Sequence, residues 1–293
     1  MSGRAPLLFT RGTLPRLLEQ RSRAALESGA LQPVATAGEF IEDHGVRFLL
    51  RRVCALARKD RETAQGTGDP FLPWDEALRV AEVSPTHVAL LNKFNVIAGH
   101  LLIVTRDFEH QERLLTRADF EALLACMAEF PCLGFYNGGA AAGASQSHKH
   151  LQLVPLPLAP EGPPVPVQLL LESARFEGDF GCVPAFRFAH VLAPRPATAA
   201  ALRARYLEML LRTGLPPREA ADGLRQSGPY NLLLGADWML LVPRTRECFD
   251  GISVNALAYA GSFFVRDERQ LRRMREAGPM AVLAAVGKAP NPG

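Results

Sequence analysis

The sequence predicts an α+β chain, an antiparallel sheet with flanking helices that is extended by a C-terminal half. Three observations predict it. Residues 148–154 alternate polar and apolar, the period of a strand. Two apolar runs, 88–96 and 100–106, flank a turn at Ala98-Gly99 and read as a hairpin, whose strands are antiparallel. Residues 13–28, 116–130 and 197–212 carry apolar side chains at helical spacing.

Composition sets the class. At 293 residues, 48% hydrophobic and 22% charged, the chain can bury a sizeable core as one large domain or two. A net charge of +3 is too weak a bias to argue for nucleic acid, but it suits a small polyanionic substrate if it gathers near a cleft. The cysteines, Cys54, Cys126, Cys132, Cys182 and Cys248, are odd in number and none are at CxxC spacing. That pattern fits neither a disulfide framework nor a zinc ribbon, and it predicts a reducing, cytoplasmic location. Arg4, Arg11, Arg16 and Arg21 interrupt the start, unlike a signal peptide, and no uncharged apolar run approaches the length of a membrane span.

The elements follow in order. For helix 13–28, Thr13 is the expected cap, Pro15 sits in the first turn and Gly29 ends it; Leu14, Leu17, Leu18, Ala25 and Leu26 form its stripe. Residues 40–56 alternate as strands and lead into a polar stretch and a Gly/Pro-rich loop at 66–73. After the hairpin, helix 116–130 opens with Thr116 and Asp119 at capping-box spacing, and Phe120, Leu123, Leu124 and Met127 share a face. Residues 133–136 form a short strand. The proline-rich stretch 156–167 is an irregular connection. Residues 186–191 read as a strand, 197–212 as a helix with Leu202, Tyr206, Met209 and Leu210 inward, and 230–235 with 238–244 as a second hairpin. Residues 252–266 read as core near a close backbone approach; 267–277 form a closing helix before a loose tail. The expected division is 1–155, with the hairpin, crossing helix, glycine loop and histidine strand, and 156–293, completing the substrate site within one compact unit.

The chemistry concentrates at residues 137–155. On a strand, residues two apart share a face, so His148, His150 and Gln152 line up on one side and Lys149, Leu151 and Leu153 on the other. The preceding run is rich in Gly and Ala, and small residues let backbone N–H groups approach an anion. Asn137, Ser145 and Gln146 add side-chain donors. Imidazole is a nucleophile toward electrophilic centres, so the pattern points to phosphoryl or nucleotidyl transfer at a histidine. His-x-His is also the pattern of a metal pair, but the sequence offers no clear third ligand.

The run Gly143-Ala144-Ser145-Gln146-Ser147-His148-Lys149-His150-Leu151-Gln152 resembles the active-site motif of the ATP adenylyltransferases, the diadenosine tetraphosphate phosphorylases of the histidine-triad superfamily. Gln152 stands where the hydrolase branches carry a third His. Ser147 and Asn95 depart from the family, which usually has Pro at both positions. The resemblance implies a histidine-triad-like sheet and phosphorolysis of a dinucleoside polyphosphate by phosphate to ATP and ADP. His150 would form a covalent adenylyl intermediate, with His148 orienting it and Gln152 donating to a phosphoryl oxygen. The backbone of Gly143, Ala144, Ser145 and Gln146 would hold the developing charge, and Lys59, Lys93 and Arg266 would offset the polyphosphate. Asn92, Asn255, Ala256, Leu257 and Ser262 match nucleotide- or substrate-contacting positions, Ala256 and Leu257 through backbone. His100 matches too, and reads as structural. No resident cofactor is implied, although Mg or Mn can accompany the polyphosphate. Two alternatives stand beside this reading, a hexose-1-phosphate uridylyltransferase and a nucleotide-binding sensor without turnover.

Overall fold

In a computed structural model the chain is described for residues 6–53 and 68–290. Helix α1 (Leu14–Glu27) has Pro15 in its first turn and stops before Gly29, whose φ of +75° only glycine adopts without strain. Thr13 does not cap it as expected, because its hydroxyl donates back to the Thr10 carbonyl. The Glu129 carboxylate does so instead, accepting from the N–H groups of Gly12 and Leu14 at 2.7 and 3.3 Å, where an anion meets the positive end of the helix. Leu14, Leu18 and Ala25 are buried, whereas Leu26 is exposed.

Strands β1 (Thr36–Asp43) and β2 (Val46–Val53) form a hairpin around His44-Gly45, both at positive φ. Then come β3 (Arg79–Ser84), β4 (His87–Leu91), β5 (Leu101–Thr105), helix α2 (Arg117–Met127), β6 (Cys132–Gly138) and β7 (His150–Pro155). The second half adds α3 (Gln168–Glu172), β8 (Arg175–Glu177), β9 (Phe180–Cys182), β10 (Val191–Pro194), α4 (Ala199–Arg212), β11 (Arg218–Ala220), β12 (Gly223–Arg225), β13 (Tyr230–Leu234) and β14 (Trp238–Pro243). It closes with β15 (Cys248–Phe249), β16 (Ile252–Ser253), α5 (Ala256–Tyr259), β17 (Ser262–Val265), α6 (Glu268–Ala277) and α7 (Pro279–Val286).

Among the described residues, ten strands form one sheet in the order β3-β4-β5-β7-β6-β13-β14-β10-β9-β8, every neighbour antiparallel. The β6–β13 pairing makes strands from both halves of the chain members of one sheet. Period-two alternation then decides what each face carries. Leu151, Leu153, Tyr136 and Leu232 pack with Leu14, Phe120, Leu123 and Tyr206 of α1, α2 and α4. On the other face, Leu133, Phe135, Val154 and Leu233 join Phe48, Phe263 and Leu283, beneath the separate sheet β1-β2-β17 and helix α7. His150 and Gln152 belong to this second face, in register with Val104 and Leu102 of β5.

The expectations for the two middle helices hold. Thr116 and Asp119 make the reciprocal capping box at α2. Thr198 caps α4, which buries Leu202, Tyr206, Met209 and Leu210. Residues 186–190, expected as a strand, are irregular; the strand begins at Val191. The alternating Phe186, Phe188 and His190 gather their rings in one cluster, with the two phenyl rings stacked at 4.8 Å. His190 also accepts the Val183 N–H and donates to the Phe188 carbonyl, so the segment loops back on itself. Helix α7, missed in the sequence reading, has its signal in Gly278-Pro279 ahead of an apolar run. No helix of the described residues is long and apolar enough to cross a membrane.

Candidate active site

The histidine strand sits between β5 and β6, and its polar face is built residue by residue. Strand β7 begins at His150 rather than at His148, which makes an isolated bridge to His110. Nδ1 of His150 donates to the backbone carbonyl of His148 at 2.8 Å. A carbonyl can only accept, so Nδ1 holds the proton and Nε2 keeps its lone pair. The residue is only 4% exposed. Burial pushes its pKa down from the ordinary 6.5 to about 4, the His148 carbonyl opposing that and the His148 ring adding to it. His150 is therefore a neutral imidazole at neutral pH, with its free lone pair on Nε2.

His148 orients His150 through its main chain, while its own side chain is held elsewhere. Nδ1 donates to Asp69 Oδ2 at 2.7 Å, and Nε2 lies 2.8 Å from the Thr105 carbonyl and 2.9 Å from its hydroxyl. With both ring nitrogens engaged, His148 is not placed to bind a metal, and among the described residues no group of three or more His, Cys, Asp or Glu could hold one. The Phe71 ring touches both imidazoles, with centroids 5.6 and 5.3 Å away, and Phe108, 53% exposed, meets His148 edge-on.

Gln152 is set by a chain of donors. The Phe94 N–H, which can only donate, lies on Asn92 Oδ1 at 3.3 Å. Asn92 Nδ2 must then face His100 Nδ1, 3.2 Å away, which makes His100 Nε2 the protonated nitrogen. That nitrogen donates to Gln152 Oε1 at 2.9 Å, so the amide N–H₂ of Gln152 is the end left to donate to a ligand. His100, read from sequence as structural, thus acts directly on a site residue.

The loop from β6 to β7 carries Gly139 and Gly143 at φ of +90° and +89° around a short turn. The N–H groups of Gly143 and Ala144 close that turn onto the Ala140 and Gly139 carbonyls, at 2.9 and 3.2 Å. They are engaged within the loop, rather than held open for an anion as expected, while Ser145 is exposed and Gln146 half-buried. Gly143 has a second duty, since a Cβ there would lie 2.9 Å from the Asn255 side chain and 3.0 Å from its backbone. The loop and residues 254–257 of the second half therefore meet.

That meeting is bonded from behind. Asn137 is buried; its Oδ1 accepts from Asn231 Nδ2 at 2.8 Å and from the Ala256 N–H at 3.0 Å. Asn231 also donates to the Ala142 carbonyl and accepts from Arg244, which itself reaches the Val254 carbonyl. The Leu257 N–H goes to Asn255 Oδ1 at 3.0 Å. Asn137, expected to donate to the substrate, instead accepts the Ala256 N–H and so ties β6 to the second half, and the Leu257 N–H, also expected at the substrate, is taken up by Asn255.

The opposite face of the strand carries a buried charge. Lys149 is fully buried, and its Nζ reaches Glu109 at 2.7 Å, Asp119 at 3.3 Å and the Leu114 carbonyl at 3.3 Å. Burial pushes the Asp119 carboxyl up, but the His87 hydrogen bond at 3.0 Å and the Lys149 charge outweigh it and hold it well below the usual carboxylate range.

The structure brings His148, His150, Gln152, Asn92 and the glycine loop together, with Asn255 against the loop. Lys93 lies on the β4–β5 connection, with Nζ 5.6 Å from the Phe94 ring centroid. Ser262 is buried on β17, paired with Leu49, and Arg266 is exposed beyond that strand, where its N–H meets Gln270; neither makes a described contact with the histidines. Lys59 lies outside the described residues. Sequence reasoning missed Asp69, Phe71, Thr105 and Gln111, which reach the site from loops and a neighbouring strand and carry no local signature.

Known proteins resemble this chain along most of its length. Residues 4–173 match the model of the Ap4A phosphorylase N-terminal domain, and residues 184–289 match that of the ATP adenylyltransferase C-terminal domain. Protein APA1 of Saccharomyces cerevisiae is 26% identical over 295 residues, covering 89% of each chain. Diadenosine 5',5'''-P1,P4-tetraphosphate phosphorylase 2 of the same yeast is 29% identical over 237 residues, 71% of this chain and 72% of that one. The crystal structure of yeast Ap4A phosphorylase Apa2 shares the fold, with a TM-score of 0.79, 24% identity and 96% of both chains covered. With the first of these models spanning more than half of its length, the chain belongs to the Ap4A phosphorylase family.

Proposed function

We propose that this protein is an Ap4A phosphorylase that works by two displacements at His150 Nε2. The observation that carries the reading is the Nδ1–H of His150 on the His148 carbonyl, in a ring that burial keeps neutral. Nε2 attacks the α-phosphorus of diadenosine tetraphosphate. The N–P bond forms, the bond to the bridging oxygen breaks, and ATP leaves with the bond's electron pair. The imidazolium so formed keeps its Nδ1–H on the carbonyl, which stabilises the positive charge. A phosphate oxygen then attacks the same phosphorus, the N–P bond breaks, and ADP leaves with His150 neutral again. Splitting one difficult transfer into two is what the nucleophile contributes.

Gln152 donates from its amide nitrogen to an equatorial oxygen, and the loop at Ser145 and Gln146 supplies further donors. Lys93 and Arg266, with Lys59, are the cations this reading assigns to the polyphosphate. Mg or Mn enters with the substrate as its counter-ion, and no resident cofactor is needed. The curated relative named as a tetraphosphate phosphorylase supports the substrate class. Free thiols at Cys126, Cys132, Cys182 and Cys248 support a cytoplasmic setting.

The test is a product analysis with diadenosine tetraphosphate, with and without inorganic phosphate. ADP plus ATP appearing only with phosphate is the expected result. AMP plus ATP without phosphate would make water the acceptor and the protein a hydrolase despite Gln152.

A further inference from the structure

The ladder between β6 and β7 runs from Cys132–Pro155 to Phe135–Gln152 and stops two residues short of His150. Continued in register, Tyr136 would face Leu151 and then Asn137 would face His150, and at that last position a side chain from elsewhere stands between the strands. Gln111, buried on the loop after β5, places its amide between the two strands. Its Oε1 accepts the His150 N–H at 2.9 Å; its Nε2 donates to the Asn137 carbonyl at 2.9 Å and lies 3.4 Å from the His150 carbonyl. The amide thus replaces a peptide group, donor for donor and acceptor for acceptor. It leaves β6 and β7 apart by the width of a side chain at the residue whose ring must be aimed.

Gln111 is itself fixed at its backbone. Its N–H donates to the Ser147 carbonyl at 2.6 Å, and its carbonyl accepts from the Tyr136 hydroxyl. The same loop is tied further on, where the Leu115 N–H meets the Tyr206 hydroxyl, 2.6 Å from that of Tyr230. An amide held this firmly transmits its position to the backbone it bonds.

We infer that Gln111 is a positioning residue for the nucleophile: its side-chain amide sets the backbone of His150 and so keeps Nδ1 on the His148 carbonyl and Nε2 aimed at the phosphorus. This rests on the nucleophilic role of His150 proposed above. Glutamine suits the position because it carries a donor and an acceptor on one planar group, at the reach the gap requires. Glutamate lacks the donor and would turn an oxygen toward the Asn137 carbonyl; methionine fills the volume with neither; asparagine is one methylene too short.

The experiment compares Gln111→Met, Gln111→Glu and Gln111→Asn with the wild type in two readouts. The first is single-turnover formation of the nucleotidyl-enzyme from diadenosine tetraphosphate, alongside KM. Because misplacement on the order of 1 Å costs about 100-fold, the rate is expected to fall about 100-fold in Gln111→Met and more in Gln111→Glu, with KM within about threefold. The second readout needs no activity: ¹⁵N shifts of the His150 ring. The wild type should show one tautomer with Nδ1 protonated, and Gln111→Met a mixture of both. Wild-type protein that forms no nucleotidyl-enzyme would overturn the phosphorylase reading, while the ring shifts would still decide the role of Gln111. A folded Gln111→Met with an unchanged tautomer and a rate within about threefold of wild type would overturn the inference. If Gln111→Met and Gln111→Glu do not fold, the shorter Gln111→Asn, which keeps both polar groups, decides by the same criteria; should it fail too, hydrogen exchange at the His150 N–H in wild type decides, since exchange as fast as in an exposed loop overturns the inference.

Discussion

The depressed His150 pKa makes acid tolerance a quantitative test of the nucleophile. Burial lowers it to about 4, so at pH 5.5 about 97% of the rings are neutral; an ordinary imidazole at 6.5 would be about 9% neutral there. The assay is single-turnover nucleotidyl-enzyme formation from diadenosine tetraphosphate at pH 7.5 and 5.5, without phosphate. Omitting phosphate removes a second group that titrates near neutrality, and the bridging phosphates of the substrate do not titrate in this range. The expected rates agree within about 10%, with an acid limb centred near pH 4. A tenfold loss by pH 5.5 would refute the reasoning, since it would mean a solvated or carboxylate-paired ring. The same shift acts on stability. The unfolded chain takes up the proton more readily than the folded one, so the stability from neutral His150 is complete above pH 6.5. It is lost as pH falls from there through 4, up to about 3 kcal/mol. His150→Asn should therefore lose less stability than wild type between pH 7 and pH 4 in denaturant titrations.

Two further outcomes follow from the polar networks. His100→Phe keeps an aromatic ring against Phe135 but removes the donor to Gln152 Oε1, so kcat should fall about 10- to 100-fold and stability by about 1–3 kcal/mol; steady-state kinetics and urea unfolding check this. Asp119→Ala leaves Lys149 and His87 buried with a partner lost and should cost about 3–5 kcal/mol in urea unfolding, whereas Lys149→Met should cost much less because Asp119 keeps His87 and Thr116.

What the sequence made legible was whatever its own local pattern decides. The alternation at 148–154 placed His150 and Gln152 on one face, and the capping pair Thr116 and Asp119 opened a helix. The close approach expected in 252–266 is Gly143 against Asn255 and Gly261 against Pro166. What stayed hidden depends on contacts between distant segments. Nothing near Glu129 marks it as the cap of a helix more than a hundred residues earlier. Asp69 and Gln111 lie in polar loops where many such residues are only solvated. Lys149 was read onto the back of the strand, but its burial needs Glu109 and Asp119 to arrive from two other segments. The alternation at 186–190 misled because aromatic residues two apart can also fold their rings into one cluster.

The strand that bears the proposed nucleophile has no idle side. Any attempt to transplant the His-x-His-x-Gln segment into another scaffold would carry an ammonium group into that scaffold's interior, with nothing there to receive it. The smallest transferable unit must also include the loop holding Glu109 and Gln111, the first turn of α2 with Asp119, and the His87 side chain. A library that varies position 149 also changes the charge left on Glu109 and Asp119.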